Sequence, residues 1–508
     1  MFIPKSGPVR SVLLVATNVV PQNDQHMIMP TQLDYLAAQL RGRGIHVECL
    51  DLSLIGTPFP LPRQEQAQDT FQHLFAQRAM VLSRTVAEGE FDLVGLSFRN
   101  LDPSLIQEPC AEQPIREYYL SDLLELSAAV RQANEDVFLV LGGPAYSLFP
   151  ETLLRRARAD YGIVGAGEAA LAGLVESINQ DRPPLDRIIS RSFDFSSAVF
   201  SRGNIDLPAY HKLGVTASLQ TKRGCAHQCN YCNYPALEGR HYQLRPATVV
   251  VDEMEALMRT GFEDFYFLDA VFNSPLEQAK SILREIIRRQ LDVRLEGMLS
   301  PHQLDEEFLD LAEGAGFFKP LTSLGRRRLA DAPPEPSLWR TLGYRPFSDG
   351  SAFVGNKYYS AQTMKDFSVR KKSKRNLILG IDAGDDQMLQ GLGKSFDQAA
   401  ISRAAQLIRA RGIPLTFDLL LGGPGTTLEG VKNTLNLALE AGADTVNVAL
   451  GIRVYPRTGL AAMTQGSLWH MEQDLLPVTA FQSPVPFWEI VELLEDFEDL
   501  VTLDYNFR

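Results

Sequence analysis

The chain has 508 residues, of which 45% are hydrophobic and 22% charged. These values are ordinary for globular protein and the length suits about three domains, so disorder, collagen-like repeats and a small disulfide scaffold are excluded. The 49 Lys and Arg against 62 Asp and Glu give a formal charge of −13, which argues against a generally basic surface for nucleic acid. Five cysteines occur, three of them within eight positions. This odd, clustered set favours a metal site in a reducing, cytoplasmic compartment, and no apolar run is long enough for a membrane span.

The first 180 residues alternate short β-branched runs with amphipathic helical stretches. This alternation predicts a parallel sheet covered by helices, that is, a doubly wound, Rossmann-like α/β domain over residues 1–180. A helix over residues 32–43 is expected to end at Gly44. The predicted strands are 12–16, 46–51, 93–98, 137–141 and 161–164.

Polar residues and glycines follow four of these predicted strands. Ligands of doubly wound sheets bind at the carboxyl ends of the strands, so these residues are candidates for a ligand site. A tight turn alone would also explain the pair of glycines after the fourth strand, but four such strand ends together favour a crevice. The candidates are Thr17, Asn18, Ser97, Phe98, Arg99, Gly142, Gly143, Gly165 and Glu168.

A second β/α series occupies residues 215–469. The preceding residues 181–214 contain several prolines and are predicted as an interdomain linker that wraps a surface. Six strand–helix units in one direction indicate a partial (β/α)6 barrel, with its chemistry on the loops after the strands. The predicted strands are 215–221, 265–269, 293–298, 377–382, 415–421 and 445–450.

One connection of the predicted barrel is unusually long. Residues 319–376 separate its third and fourth strands and contain 13 Lys and Arg against four Asp and Glu. Their aromatic residues favour an ordered lid over the barrel mouth, although a solvated surface loop fits equally well. The C-terminal region, residues 470–508, carries nine Asp and Glu against one Arg. Apolar spacing over 487–494 predicts a helix packed on the barrel.

The strongest chemical pattern follows the first barrel strand. Cys225, Cys229 and Cys232 are separated by three and two residues, so their thiolates can converge from one loop on one iron–sulfur cluster. A zinc site would need a fourth ligand such as His227, and the chain has no second cysteine pair. Three cysteines leave one iron of a four-iron cluster open, and a substrate or cofactor can bind there.

The CxxxCxxC spacing, with Tyr231 directly before the third cysteine, resembles that of the radical S-adenosylmethionine (SAM) superfamily. The resemblance implies that Cys225, Cys229 and Cys232 bind a [4Fe-4S] cluster whose open iron is chelated by SAM. It also implies that the backbone near Tyr231 contacts the adenine of SAM. An external electron donor such as flavodoxin or ferredoxin would reduce the cluster.

Three later strand ends resemble the remaining SAM contacts of this superfamily. Asp269 departs from the usual Gly-Gly-Glu pattern but matches a variant of the cobalamin-dependent members, which makes it the candidate for the SAM amino group. Asp382 is the candidate for the ribose or methionine part. Gly422 and Gly423 form the fifth-strand turn, at which glycine lets the backbone approach SAM.

The N-terminal domain resembles the B12-binding domain that is fused to many radical SAM enzymes, and its strand-end residues are then implied to bind cobalamin. The Asp-x-His-x-x-Gly sequence that supplies a cobalt-binding histidine in other B12 proteins is absent from the chain. The two resemblances together imply a radical SAM methyltransferase that moves a methyl group from SAM, through methylcobalamin, to a carbon of a small or medium metabolite. The basic segment would favour an anionic substrate.

Three alternatives stay open at this point. A non-methylating B12-type enzyme, catalysing ring contraction, cyclisation or oxidation, has the same two domains. A tRNA methylthiotransferase resembles the barrel, but that family carries further N-terminal cluster cysteines and a basic RNA-binding module, whereas this N-terminal domain has only Cys49 and Cys110. A non-catalytic sensor of B12 or redox state would keep the cluster without cleaving SAM.

Overall fold

The computed structural model divides the chain into two compact units, formed mainly by residues 1–213 and 214–508. Asn18 and Cys110 lie outside the residues that the structure describes, as does most of the basic segment. The described residues are 7–17, 28–55, 64–99, 116–200, 203–212, 215–320, 345–346, 352–354, 357–359, 376–464, 481–497 and 500–503.

The first unit contains a parallel sheet of six strands. These are β1 (Ser11–Ala16), β2 (His46–Asp51), β3 (Leu93–Ser97), β4 (Phe138–Gly142), β5 (Tyr161–Ile163) and β6 (Ile188–Ile189). The helices are α1 (Gln32–Arg41), α2 (Gln64–Glu88), α3 (Arg116–Ala133), α4 (Pro144–Leu148), α5 (Pro150–Arg156), α6 (Gly167–Asn179) and α7 (Leu207–Lys212). The strand order is β2-β1-β3-β4-β5-β6, so the direction of winding reverses between β1 and β3. The predicted doubly wound fold is confirmed.

Strand β1 shows why this sheet forms. Its sequence SVLLVA is apolar almost throughout, and all its residues after Ser11 are buried. A strand covered by helices on both faces needs such a continuous apolar sequence. The core around it includes Val12 and Leu14 of β1 and Val140 of β4.

The segment predicted as a linker contributes to the core of the first unit. Ile188–Ile189 pairs in parallel with β5, and Phe195 is fully buried with its ring edge-on to Tyr35, the ring centroids 5.5 Å apart. Tyr210 is also fully buried and donates a 2.5 Å hydrogen bond to Asp51. This corrects the expectation that these residues only wrap a surface: apolar and aromatic side chains between the prolines pack inward.

The second unit contains the predicted barrel series. Its strands are β7 (Ala217–Leu219), β8 (Lys222–Arg223), β9 (Gln243–Leu244), β10 (Asp264–Phe267), β11 (Arg294–Gly297), β12 (Arg345–Pro346), β13 (Ala352–Val354), β14 (Lys357–Tyr359), β15 (Leu377–Asp382), β16 (Leu415–Leu421), β17 (Thr445–Leu450) and β18 (Val501–Leu503). Its helices are α8 (Tyr234–Glu238), α9 (Ala247–Met258), α10 (Leu276–Arg288), α11 (Glu306–Ala315), α12 (Asp386–Leu392), α13 (Gln398–Ala410), α14 (Leu428–Glu440), α15 (Gly459–Met463) and α16 (Phe487–Glu495).

The six predicted barrel strands lie in two parallel sheets. One sheet has the order β11-β10-β7 and the other β15-β16-β17-β18. A parallel bridge between Leu299 and Leu379 connects them. Within the described residues the strands therefore form a partial barrel that does not close.

Side-chain caps set the start of three barrel helices. Asp305, Asp397 and Thr427 each accept a backbone N–H from the first turn of α11, α13 and α14 respectively. Such caps satisfy amide groups that have no partner inside the helix. They fix the residues at which these three helices begin.

The predicted C-terminal helix is present as α16, which buries Ile490 and Leu494. Strand β18, which pairs in parallel with β17, was not predicted. In the basic segment, β12, β13 and β14 form a small antiparallel sheet. None of the helices in the described part of the chain has the length and apolar character needed to cross a membrane.

Candidate active site

The three cysteines lie on the loop between β8 and α8 of the second unit. Gly224 opens this loop with a φ of +87°, and a Cβ there would lie 2.1 Å from the carbonyl oxygen of His241. Only glycine avoids both the strain and the overlap. Further along, the N–H of Cys232 donates to the carbonyl of Cys229, which curls the loop back on itself.

Asn230 fixes the cysteine loop to two helices. Its N–H donates to Leu392 and its side-chain amide to Gly391, both at the end of α12. Its carbonyl accepts the N–H of Leu460 in α15. These bonds hold the loop rigidly although it has no regular secondary structure.

His227 occupies a different part of the loop. Its two ring nitrogens lie 2.7 Å from Ser395 Oγ and 3.0 Å from Ser274 Oγ, and burial lowers its pKa. Tyr242 shares Ser274 through a 2.8 Å contact. His227 therefore supports the loop through hydroxyl groups on both of its sides.

A buried lysine influences the cysteine thiols. Burial raises the pKa of Cys225, Cys229 and Cys232, for Cys232 to about 12. The cation of Lys394 opposes this effect at Cys229 and Cys232 because it favours their thiolates. Since a cysteine must lose its proton to bind iron, Lys394 makes these two thiols better ligands.

The donor set fits an iron–sulfur cluster. Cys225, Cys229 and Cys232 are free thiols on one anchored loop, next to a cation that favours thiolates. In the described parts of the chain, no group of three or more His, Cys, Asp or Glu side chains could hold a single metal ion. A four-iron cluster does not need such a group, because each of its cysteines binds a different iron.

Lys394 also forms part of a polar cluster with two predicted SAM residues. Its Nζ lies 2.6 Å from Oδ2 of Asp382, and the hydroxyl of Tyr231 donates to the same oxygen. Burial raises the pKa of Tyr231, and the carboxylate of Asp382 adds to that effect. For Lys394, burial lowers the pKa, but the carboxylate of Asp382 together with Cys229 and Cys232 raises it further than burial lowers it, so the lysine stays charged. The structure thus brings Tyr231 and Asp382 together beside the cysteines.

A β-bulge directs Asp382 toward this cluster. The register between β15 and β16 shifts between Gly380 and Asp382, and Asp382 has a φ of +65°. A non-glycine residue in this left-handed region is strained, and bulges commonly re-aim a side chain near functional sites.

Asp269 does not offer a free acceptor to SAM. Its side chain is buried, and Oδ1 accepts the backbone N–H groups of Thr221 and Lys222. Oδ2 accepts from the Thr221 hydroxyl and from Lys222 Nζ, 3.2 Å away. A carboxylate has about four acceptor positions, and all are used. Asp269 therefore holds the strand that leads into the cysteine loop, and its contact with the SAM amino group stays a prediction.

Packing within the chain is enough to require glycine at positions 422 and 423. A Cβ on Gly422, where φ is +90°, would lie 2.5 Å from the ring of Phe487. A Cβ on Gly423 would lie 2.5 Å from the side chain of Ile452 and 2.8 Å from that of Leu392. The space that these glycines leave is filled by packed side chains. The approach of this turn's backbone to SAM stays a prediction.

In the first unit, several of the predicted cobalamin residues lie at neighbouring strand ends, beginning at the reversal of winding between β1 and β3. Thr17 Oγ1 donates to the carbonyl of Ser97, 3.0 Å away, which ties the end of β1 to that of β3. The N–H of Phe98 donates to the carbonyl of Gly142. Gly143 has a φ of +97°, and a Cβ there would lie 2.5 Å from the oxygen of Phe98.

Ser147 extends this arrangement to the end of β5. Its hydroxyl donates to the carbonyl of Gly143, 2.9 Å away, and accepts the N–H of Gly165, where φ is +78°. Glu168 is buried on the first turn of α6. Hydrogen bonds thus link the ends of β1, β3, β4 and β5 along the sheet edge that includes the winding reversal between β1 and β3. Doubly wound sheets bind their ligands at such an edge, and this geometry suits a cofactor such as cobalamin.

The chain was compared with protein-family profiles, with curated proteins and with solved structures. No protein-family profile matches the chain. A tryptophan 2-C-methyltransferase of Streptomyces laurentii is 27% identical over 265 residues, which are 51% of this chain and 36% of that protein. The radical SAM methyltransferase TsrM of Kitasatospora setae, solved with tryptophan and a SAM analogue, is 25% identical with a TM-score of 0.65. That match covers 89% of this chain and 76% of the other.

The chain is thus similar, over most of its length, to a radical SAM methyltransferase that was also solved with cobalamin and a [4Fe-4S] cluster. A further solved structure, the cobalamin-dependent radical SAM enzyme OxsB, is 15% identical with a TM-score of 0.55, covering 84% of this chain and 52% of that one. OxsB supports the fold alone. The matched part of this chain spans little more than a third of the length of the curated tryptophan methyltransferase.

Two buried clusters of the first unit were missed by the sequence analysis. Arg78 forms a fully buried ion pair with Asp122 and donates to the carbonyls of Thr17 and Leu52, at the ends of β1 and β2. Tyr210 forms a second cluster with Asp51 and Ser53, and burial raises its pKa, with Asp51 adding to the effect. Arg99 lies close enough to Tyr210 to oppose that rise. Separate elements supply these residues, so no local motif marks them.

Proposed function

We propose that the chain is a cobalamin-dependent methyltransferase that transfers a methyl group from SAM, by way of cobalamin, to a carbon of a small or medium metabolite. The observation that carries this proposal is the likeness, over 89% of the chain, to a methyltransferase solved with tryptophan and a SAM analogue. A likeness of that extent involves most of both units. It therefore favours a function that needs both over a function of either unit alone.

In this proposal the cysteine loop holds the cluster and the adjacent polar cluster orients SAM. When bound, a [4Fe-4S] cluster supplies electrons to SAM and cobalamin carries a methyl group. Cys225, Cys229 and Cys232 would be the cluster ligands. Tyr231 and Asp382 offer polar groups directly beside them, fixed in orientation by Lys394.

The strand ends of the first unit would hold cobalamin. Thr17, Ser97, Gly142 and Gly143 lie where β1, β3 and β4 end, at the winding reversal. We include Asn18, Phe98, Arg99, Gly165 and Glu168 in the proposed site. The chain lacks the motif that supplies a histidine to cobalt, so cobalt would carry no histidine from that motif.

The proposal includes an external electron donor such as flavodoxin or ferredoxin. A cavity of about 170 Å³ lies beside Cys229 and Cys232, and the exposed Arg240 and Arg457 line it. A positive rim suits an acidic donor protein and would bring it near the cluster ligands. The clustered cysteines support a cytoplasmic location, and the basic segment supports an anionic group on the substrate.

Anaerobic reconstitution followed by metal analysis and isotope transfer tests this function. We expect bound iron and cobalt, and transfer of the deuterated methyl group of labelled SAM to tryptophan or another small metabolite, measured by mass spectrometry. Protein without bound cobalamin contradicts the proposal. SAM consumption that gives a product without a labelled methyl group would instead favour the non-methylating alternative.

A matched set of cysteine variants serves as the control. Cys229→Ala and Cys232→Ala should lose iron and all transfer of the label. Cys49→Ala removes a thiol of the first unit and should retain both. Equal iron in all three variants would contradict the assigned cluster ligands.

A further inference from the structure

The turn after α12 packs against the cysteine loop on both sides of Cys229. A Cβ on Gly393, where φ is +70°, would lie 2.6 Å from the carbonyl oxygen of Gln228 and 3.1 Å from the side chain of Asn230. The turn and the loop are therefore in direct contact. Lys394 is the next residue along the chain, so the backbone itself places it beside Cys229.

The ammonium group of Lys394 is held between a carboxylate and two aromatic rings. Its Nζ lies 2.6 Å from Oδ2 of Asp382, 5.2 Å from the ring centre of Phe396 and 5.8 Å from that of Tyr231. The rings attract the cation and keep water away from it, and the side chain is 6% exposed. A charge in such a position acts on its neighbours more strongly than a charge in water does.

The effect of this ion pair on the neighbouring thiols is that of a positive charge. At Cys229 the cation of Lys394 lowers the thiol pKa by more than the carboxylate of Asp382 raises it. At Cys232 the cation also lowers the thiol pKa. The lysine therefore dominates the pair at both of these proposed cluster ligands.

A positive charge stabilises the more negative of two states. Reduction by the external donor adds one electron and no proton to a cluster held by three thiolates, so one negative charge is added. The reduction potentials of iron–sulfur clusters depend on the charges and the solvent exposure around them. We propose that Lys394 raises the reduction potential of the bound cluster and that Asp382 lowers it. The lysine thus makes the cluster easier for the donor to reduce.

Potentiometric titration of the anaerobically reconstituted holoenzyme, without SAM, tests this role. The electron paramagnetic resonance signal of the reduced cluster is measured at potentials set by redox mediators. At the midpoint potential of the wild type, the ratio of reduced to oxidised cluster should fall about tenfold in Lys394→Met, which is about 59 mV for one electron. Lys394→Arg keeps the cation and should stay within about twofold of the wild type. Asp382→Asn removes the anion and should raise the ratio.

Lys319→Met is the matched control, because Lys319 forms an exposed pair with Asp292. It should keep the wild-type potential. A wild-type ratio in Lys394→Met overturns the proposal. Shifts in the same direction in Lys394→Met and Asp382→Asn overturn it as well, because loss of a purely structural contact would affect both variants alike. If Lys394→Met retains no iron, Asp382→Asn decides: a ratio at or below that of the wild type overturns the proposal.

The proposal rests on the proposed function, because it takes as bound the cluster that this function needs. The two can fail separately. A potential that depends on Lys394, in an enzyme that transfers no labelled methyl group, rejects the methyltransferase function and leaves the role of the lysine standing. Methyl transfer by an enzyme whose potential is the same in the wild type and in Lys394→Met rejects only the role of the lysine.

Discussion

Lys394 Nζ and Asp382 Oδ2 lie 2.6 Å apart, and the lysine side chain is only 6% exposed. The lysine follows α12, whereas the aspartate ends β15. Their contact closes a polar cluster with Tyr231 beside the cysteine loop. Both side chains are largely buried. Removing either one therefore leaves the charge of the other without a partner and poorly solvated.

Replacing Lys394 by Met should therefore destabilise the fold. We expect a loss of about 3 kcal/mol in the free energy of unfolding, because the carboxylate of Asp382 is left buried without its cation. Chemical denaturation measures this loss. Lys319→Met breaks an exposed pair with Asp292 and should cost less than about 1 kcal/mol. Equal losses of unfolding free energy in the two variants would show that the buried pair contributes no more to stability than the exposed pair.

Asp269→Asn distinguishes a structural role from a role in SAM binding. The substitution leaves Lys222 Nζ buried without a carboxylate, so we expect a loss of about 3 kcal/mol in unfolding free energy and reduced iron content after reconstitution. Iron analysis and denaturation give the two readouts. A variant with normal stability and normal iron but weaker SAM binding would restore the role predicted from the sequence.

Gly143→Ala tests the packing of the proposed cobalamin site. Its φ of +97° strains any other residue, and its Cβ would overlap the backbone of Phe98. Gly203 has a φ of +95° with no atom within 4 Å of a Cβ. Gly203→Ala thus carries the strain without the overlap and should keep cobalt, whereas Gly143→Ala should lose most of it. Cobalt analysis after reconstitution decides between these outcomes.

Asp122 makes stability depend on pH. Burial raises its pKa from 3.8 to about 6, and Arg78 offsets this only in part. Between these values the folded chain binds more protons at this site than the unfolded chain, so the contribution of Asp122 to stability falls as pH rises.

Asp122→Asn should remove this contribution. The variant's unfolding free energy should then rise more steeply with pH, or fall less steeply, than that of the wild type between about pH 4 and pH 6, by up to about 1.4 kcal/mol per pH unit. Urea denaturation at several pH values measures both slopes. Asp310→Asn, at an exposed position, should leave the slope unchanged, and identical slopes for the wild type and Asp122→Asn would contradict the raised pKa.

The sequence predicted those parts of the site that local pattern encodes. Cys225, Cys229 and Cys232 are close in the chain, and strand periodicity located the loop that carries them. Lys394 could not be predicted, because it is 163 residues from Tyr231 and only the fold brings them together. For the same reason the structural role of Asp269 could not be predicted, since its hydrogen bonds reach back 47 and 48 residues to Lys222 and Thr221.

Composition did not predict which residues of the segment 181–214 are buried. Residues 181–214 are rich in proline, which favours a linker, yet Phe195 and Tyr210 are fully buried.

The two half-sheets of the barrel are joined at a seam that consists of a single bridge, between Leu299 and Leu379. The strands on either side of this seam, β11 and β15, are also those between which the basic segment is inserted. If β11 and β15 were fully paired, inserting extra residues between them would break hydrogen bonds between the two strands. Because only one bridge joins them, an insertion breaks few hydrogen bonds. Variation in the length of this segment should therefore be tolerated by the two half-sheets, which leaves the barrel mouth free to change with the substrate.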